Sequence, residues 1–589
     1  MKEFFKFMFA SMLGFVLASL VVFLIIFIIA VSALSFTKKE TVVVPQKTVL
    51  QLSLDTQVSD RKPENPFMFN FGDMGANRAM GLNEILTAIK NASKDDNVKG
   101  IWMDLSVVPT GIATVEEIRN ALLDFRKSGK FILSYSEGYT QQTYYLASVS
   151  DKIYLNPAGS MEFKGLAGNV MFFKGMLEKL DIEAQVIRHG KFKSAVEPFI
   201  LDSMSPASEQ QTFAYVSALW QHMLKGISET RKIPVDQLMA IADGLKVQDP
   251  REAVNLKFVD RLIYKDEFLE ELRLKVGEAS IKDIKVMKFS KYLDAPVNAP
   301  DKKIGGDRIA VVYASGNIIS GEGNDETIGS ERISKAIRKA RLDDKVKAIV
   351  LRVNSPGGSA LASDVIWREV SLAKKAKPVV VSMGDVAASG GYYISCAATK
   401  VYANPNTLTG SIGVFGIIPN TEKFFEKNLG ITFDGVKTNP YADYIPVTRP
   451  MTGEEKKFLT HDIETIYSTF VGHVAEGRRM STADVDSIGQ GRVWSGTDAK
   501  RIGLIDEFGG LTDAIREAAR LAKVKDYSIT NLPAQKDPFT RIMETLSGDN
   551  SFVWVKKQLG SAYPYYSYLM NMSRLQGVQA LMPFEIIVE

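Results

Sequence analysis

Val346-Lys-Ala-Ile-Val-Leu-Arg-Val-Asn-Ser-Pro-Gly-Gly-Ser359 decides the fold of this chain. It opens as a β-branched run of the kind that forms a buried strand and closes on a Pro-Gly-Gly turn. A second such run, Val379–Met383, leads into Ala387-Ala-Ser-Gly-Gly-Tyr-Tyr393, where a helix begins. Two glycines after a strand let the backbone pass close to a ligand and bare its N–H groups. A helix start adds unpaired donors and a partial positive charge. Together these features suit the oxygen of a tetrahedral intermediate. Around them, strand signals (Ile309–Tyr313, Ala348–Val353, Val379–Met383) alternate with helical stretches (Glu331–Arg341, Leu361–Ala376). That alternation predicts an α/β fold with parallel sheets and right-handed crossovers.

The same pattern occurs twice, at a spacing near 248 residues. Val98-Lys-Gly-Ile-Trp-Met-Asp-Leu105 answers to Val346-Lys-Ala-Ile-Val-Leu-Arg-Val353, Tyr144-Tyr145 to Tyr392-Tyr393, and Lys152-Ile-Tyr-Leu-Asn-Pro157 to Lys400-Val-Tyr-Ala-Asn-Pro405. Leu180-Asp-Ile182 answers to Leu429-Gly-Ile431, Arg231 to Arg478, Gly244 to Gly491 and Asp260 to Asp506. So many matches in order indicate two copies of one domain, at a period much too long for a solenoid. The expected organisation is an anchor over 1–48, a first domain over 49–290, a linker over 291–307, a second domain over 308–530 and a tail over 531–589. Residues 59–80 read as an exposed loop. Residues 453–479 read as a packing helix with Phe458, Ile463, Ile466, Phe470 and Val474 on one face.

The 589 residues are too many for one core, and 46% hydrophobic with 24% charged side chains excludes wholesale disorder. A net charge of +4 gives no footprint for nucleic acid. The single cysteine, Cys396, excludes an internal disulfide, and four scattered histidines (His189, His222, His461, His473) argue against a histidine metal site. No charged residue occurs from Phe7 to Thr37, a stretch longer than the apolar region of a signal peptide and sufficient to cross a bilayer. We therefore expect an uncleaved transmembrane helix. Lys2 and Lys6 before it and Lys38 and Lys39 after it leave its orientation undetermined by charge.

Asn354–Ser359, Met383–Tyr393, Asn404-Pro-Asn-Thr-Leu-Thr-Gly-Ser-Ile-Gly413, Lys191-Phe-Lys-Ser-Ala-Val-Glu-Pro198 and Gly491-Arg-Val-Trp-Ser-Gly-Thr-Asp-Ala499 resemble the bacterial signal peptide peptidases of the A type (protease IV) in their long, duplicated form. The resemblance covers nearly the whole chain after the anchor. It implies two tandem domains of the Clp-protease/crotonase superfamily, Ser389 as nucleophile, Lys193 as general base and Ser411 hydrogen-bonded to the lysine amine. It also implies Gly390, with Gly357 or Gly358, as oxyanion donors, and no metal or cofactor. It places the catalytic domains on the extracytoplasmic side of the inner membrane, in a homo-oligomer, with a tetramer favoured, acting on signal-peptide remnants and other short apolar peptides. Asp385 departs from the family pattern, as does Ser495, where Thr is common.

The duplication bears on this assignment. Ser389 aligns with Gln141, and its two glycines with Gln142 and Thr143, while Lys193 aligns with Ala442. Each copy thus holds half of a Ser/Lys pair, and a site exists only where the two copies meet. A free lysine, with a pKa of about 10.4, is neutral in roughly one molecule per thousand near pH 7.5. A general-base Lys193 therefore has to be buried, and Glu197, four residues on, has to point elsewhere. Arg352 and Arg188 read as salt-bridge or surface residues, and Cys396 as a small buried one. Two other classes compete. An acyl-CoA hydratase or isomerase of the crotonase type needs neither the Ser/Lys pair nor an anchor. A non-catalytic membrane scaffold needs neither residue of the pair.

Overall fold

The computed structural model describes residues 2–35, 42–62, 80–298, 306–535 and 578–582. Parts of the loop expected over 59–80 (63–79), of the linker (299–305) and of the tail (536–577 and 583–589) lie outside the described residues.

The helix Lys2–Ser35 comes first. Its segment Glu3–Leu24 has a mean hydropathy of 2.5, is buried against nothing in the chain, and is long and apolar enough to cross a membrane.

The first repeat contributes strands β1 (Thr48–Leu52), β2 (Val98–Asp104), β3 (Phe131–Tyr139), β4 (Lys152–Met161), β5 (Glu183–Arg188), β6 (Arg261–Leu262) and β7 (Val286–Lys288). All but β5 form a parallel sheet in the order β6-β4-β3-β2-β1-β7. The second repeat contributes β8 (Arg308–Ser315), β9 (Asn317–Ile319), β10 (Thr327–Gly329), β11 (Val346–Ser355), β12 (Gly357–Ser359), β13 (Val379–Ala388), β14 (Lys400–Ala403), β15 (Leu408–Gly410), β16 (Phe415–Asn420), β17 (Val493–Ser495), β18 (Glu507–Phe508) and β19 (Ser528–Leu532). Its main sheet runs β17-β15-β13-β11-β8-β19, with β14 and β18 continuing beside β13. In both repeats the strands stand in the same relation: β1, β2 and β3 correspond to β8, β11 and β13. The duplication in the sequence is a duplication of topology.

A third sheet joins the repeats. In the order β10-β9-β12-β20-β16-β5, it pairs β5 of the first repeat antiparallel with β16 of the second, Arg188 opposite Phe415. It also takes in β20 (Gln579–Leu581), a strand from the C-terminal tail, between β12 and β16.

The central strands β11 and β13 of the second sheet are buried on both faces, which is why they open as apolar runs rich in Val, Ile and Leu without alternation. The helix Gly453–Arg478 opens on a Thr452–Glu455 capping box and packs Leu459, Ile463, Tyr467, Phe470 and Val474 into the second core. Phe458, expected on that face, is 44% exposed and instead lies edge-on to Tyr441, 5.2 Å away. It sits one residue, about 100° of helix, off the buried row.

The repeats also meet at a buried ion cluster. Arg352 of β11, 0% exposed, pairs at 2.7 Å with Asp60 and at 2.7 Å with Glu117, both from the first repeat. Arg352 is thus a salt-bridge residue, and its partners are what the sequence could not supply.

Candidate active site

β13 delivers Ser389 to the head of the helix Gly390–Ser395. Ser389 has φ 54° and ψ −113°, a strained conformation for a residue with a side chain. Its N–H donates to the Gly410 carbonyl at 2.8 Å, which ties the turn to β15. The glycines behind it are required by close approach: a Cβ on Gly391 would stand 2.7 Å from the Ser355 carbonyl oxygen, and one on Gly390 would stand 2.6 Å from Ser363 Oγ.

Lys193 arrives from the first repeat, in the turn after β5. Phe192 N–H donates to the Gln490 carbonyl at 3.0 Å, which clips this turn onto the second repeat. A Cβ on Gly491 would fall 2.6 Å from the Lys193 backbone, so only glycine admits the lysine there. Lys193 is 0% exposed. Its Nζ donates to Ser389 Oγ at 2.8 Å, to Ser411 Oγ at 3.0 Å and to the Ser411 carbonyl at 3.2 Å. Both halves of the pair belong to one chain. Burial alone holds the Lys193 amine well below the usual lysine range. Glu197 points away from the amine: its carboxylate accepts from Arg188 at 3.3 Å and from the Ser205 hydroxyl at 2.7 Å. Arg188 also holds the Lys193 carbonyl at 3.1 Å. It acts on the backbone of the turn and not on the amine.

On the other side of Ser389 lies the Pro-Gly-Gly turn. Gly357 and Gly358 have φ +108° and +149°, backbone that side chains rarely adopt. The Gly357 N–H is engaged, donating to Ser355 Oγ at 3.1 Å. Gly358 is opposite Ala580 in the ladder between β12 and β20. The Ala580 carbonyl oxygen stands 2.0 Å from where a Cβ on Gly357 would be, and the Gly390 nitrogen stands 2.8 Å from that same point. A carbonyl oxygen therefore sits among Gly357, Gly358 and Gly390.

The histidines are elsewhere. His189 pairs with Glu464 at 2.8 Å and stacks on Tyr467, and His473 pairs with Asp364. Among the described residues no group of His, Cys, Asp or Glu could hold a metal ion. Cys396 is buried. Asp385, the departure from the family pattern, is a seam residue. Its carboxylate accepts from Thr114 N at 2.9 Å and Thr114 Oγ1 at 2.7 Å, and a Cβ on Gly111 would stand 2.0 Å from it. Burial pushes that carboxyl up from the ordinary range. Sequence reasoning did not find Asp60, Glu117 or Thr114 as partners, because nothing local marks a residue whose partner lies in the other repeat. A buried arginine in a strand flanked by glycine turns was the one available signal.

Residues 124–278 and 371–525 each match the sequence pattern described as Peptidase family S49. The chain belongs to peptidase family S49. Residues 304–409 also match the Clp protease pattern. Protease 4 of Salmonella typhi is 40% identical over 79% of this chain and 76% of its own length, and Protease 4 of Haemophilus influenzae is 34% identical over 86% of each. A chloroplastic serine protease SPPA of Arabidopsis thaliana is 32% identical over 91% of this chain and 77% of its own length. This S49 chain is accordingly a serine protease with two parallel-sheet α/β domains, the second of which carries the match to the Clp protease pattern.

Proposed function

We propose that the chain is a membrane-bound endopeptidase that uses a Ser389/Lys193 dyad to degrade cleaved signal peptides and other short apolar peptides. The observation that carries the proposal is the buried amine of Lys193, 2.8 Å from Ser389 Oγ, with no carboxylate beside it. A neutral amine at that distance takes the hydroxyl proton as Ser389 attacks the scissile carbonyl. Ser411 Oγ, at 3.0 Å, aims the amine without adding charge. The N–H groups of Gly358 and Gly390 hold the oxyanion, while Gly357, its own N–H taken by Ser355, contributes the space left by its missing side chain. Lys193 then protonates the leaving amine, and water cleaves the acyl-enzyme. The apolar side chains Tyr215, Leu219 and Val493, which pack in one cluster with Met582 beside β20, support apolar peptides as substrates.

The helix Lys2–Ser35 anchors the enzyme in the bacterial inner membrane, with the catalytic domains on the extracytoplasmic face and the chains assembled as a homo-oligomer. Its apolar length and the relatedness to Protease 4 support this placement.

A fluorophosphonate probe tests the chemistry. The label should map to Ser389, and Ser389→Ala and Lys193→Ala should each abolish both labelling and peptide hydrolysis. Full activity in either variant ends the proposal.

A further inference from the structure

Gln211 is a buried amide, 1% exposed, on the helix Pro206–Arg231 of the first repeat. Its Nε2 donates to the Phe192 carbonyl at 3.0 Å and to Ser194 Oγ at 2.8 Å, so it grips the residues on either side of Lys193. Its Oε1 accepts from Val493 N–H at 3.1 Å, across the seam, in β17 at the end of the second repeat's main sheet. The amide has one workable orientation. Turned over, it would set its oxygen against the Phe192 carbonyl and its nitrogen against the Val493 N–H. The helix that carries it is tied to the same segment from its first turn. Ser205 caps that helix by accepting from Ser208 N–H at 3.2 Å, and it gives its own N–H and hydroxyl to Glu197 at 3.0 Å and 2.7 Å.

Val493 ends a strap that the second repeat lays between two turns. The Gln490 carbonyl accepts from Phe192 N–H at 3.0 Å, Gly491 N–H donates to the Ile412 carbonyl at 2.7 Å, and the Arg492 carbonyl accepts from Ser411 N–H at 2.7 Å. The outer two residues of Gln490–Val493 thus hold the Lys193 turn, and the inner two hold the Ser411 turn. Gln490 does so directly; Val493 reaches the lysine turn through Gln211.

The geometry points to Gln211 as a positioning residue for the general base: it fixes the Lys193 turn against the Ser411 turn and so sets where the amine meets Ser389. The inference rests on the Ser389/Lys193 assignment above. Gln211→Met keeps the length of the side chain and removes all three bonds, leaving a buried carbonyl and a buried N–H each short of a partner. Misplacing a catalytic group by about 1 Å costs up to ~10²-fold in rate, so kcat should fall by about 10- to 100-fold. KM should stay within about twofold, because ground-state binding is untouched. A loosened turn also lets water reach the amine and draws its titration toward that of a free lysine, so the rise of kcat with pH should move up by about one pH unit.

The test uses the full-length protein and a fluorogenic alanine- and leucine-rich peptide, with kcat, KM and the pH profile read for each variant. Ser194→Ala removes one of the three bonds and should slow kcat by about two- to tenfold, with the pH profile displaced in the same direction. Added to Gln211→Met it should cost nothing more, because both variants remove the same bond. Gln185→Met is the control for structure alone. Gln185 is also buried and accepts from Met451 N–H at 2.8 Å across the same seam, but its bond lies outside the Lys193 turn. That variant should lower the melting temperature and leave kcat and the pH profile as in the wild type. A wild-type kcat and pH profile in Gln211→Met overturn the inference, as does an equal loss in Gln185→Met or a fully additive double variant. Where Gln211→Met fails to fold, Ser194→Ala decides, and an unmoved pH profile there overturns the inference. In all these cases an inactive Lys193→Ala keeps the dyad assignment standing. An active Lys193→Ala brings down the dyad, and the role of Gln211 with it.

Discussion

Lys193 is where stability and chemistry pull apart. In the unfolded chain its amine titrates near the usual lysine value of about 10.4, and in the fold burial moves that titration well down. Between the two values the unfolded state binds the extra proton, so this residue makes the protein more stable as pH rises and less stable as pH falls. In the proposed mechanism catalysis has the same sign, because only the neutral amine accepts the Ser389 proton. Peptide hydrolysis should climb with pH through the folded-state titration and then level off. Lys193→Met should abolish hydrolysis yet raise the melting temperature at neutral pH by roughly 3 °C or more, at about 2–4 °C per kcal/mol for a domain of this size. It should also flatten the pH dependence of melting. A melting point that falls in Lys193→Met would mean that the amine's bonds to Ser389 and Ser411 outweigh its desolvation. Ser411→Ala removes one of those bonds, a loss of about 0.5–1.5 kcal/mol, and should slow turnover roughly two- to tenfold.

At the scale of elements, the Pro-Gly-Gly turn between β11 and β12 is built around missing side chains. Gly357→Ala would put a methyl group 2.0 Å from the carbonyl oxygen that the turn faces. The methyl group would push the oxyanion off the Gly358 and Gly390 N–H groups, so kcat should fall by about 10²–10³, as much as the loss of a donor costs. Gly277→Ala is the control. It is also left-handed, at φ +73°, but faces open space, so it should cost about 1–2 kcal/mol of stability and leave kcat unchanged. Equal kcat losses in the two variants would show that backbone strain, not the occupied space, is responsible. The elements themselves were largely legible: β8, β11 and β13 and the helices between them followed from β-branched runs and helical spacing. The buried row of Gly453–Arg478 was misplaced at Phe458, because a helix face read from spacing alone does not distinguish the core from a flanking aromatic cluster. β5, β16 and β20 were missed for a different reason. They are short and lie in a sheet shared by both repeats and the tail, so what makes them strands is a partner far away in sequence.

For the whole molecule, the duplication told most, since complementary losses in two copies require a site between them, and Lys193 and Ser389 do meet across that seam. What holds the seam was not legible. Arg352 of the second repeat sits fully buried between Asp60 and Glu117 of the first, and Glu117 also accepts the Leu511 N–H at 2.8 Å. Burial pushes the Glu117 carboxyl up despite the arginine beside it, so these charges are in a strongly desolvated place. Removing one partner there leaves an uncompensated buried charge. Arg352→Met should therefore destabilise the protein by about 3–5 kcal/mol, read as a lower denaturant midpoint. It should also lower peptidase activity, because β11 leads directly into the Pro-Gly-Gly turn beside Ser389. Replacing all three residues together with apolar side chains (Asp60→Leu, Glu117→Leu, Arg352→Met) removes the charges as well as their attraction, and should recover most of the lost stability. If the triple variant is no more stable than Arg352→Met, the cluster contributes net attraction across the seam. If the triple variant is stable but inactive, the ions fix the position of one repeat on the other, and with it the 2.8 Å contact between Lys193 Nζ and Ser389 Oγ.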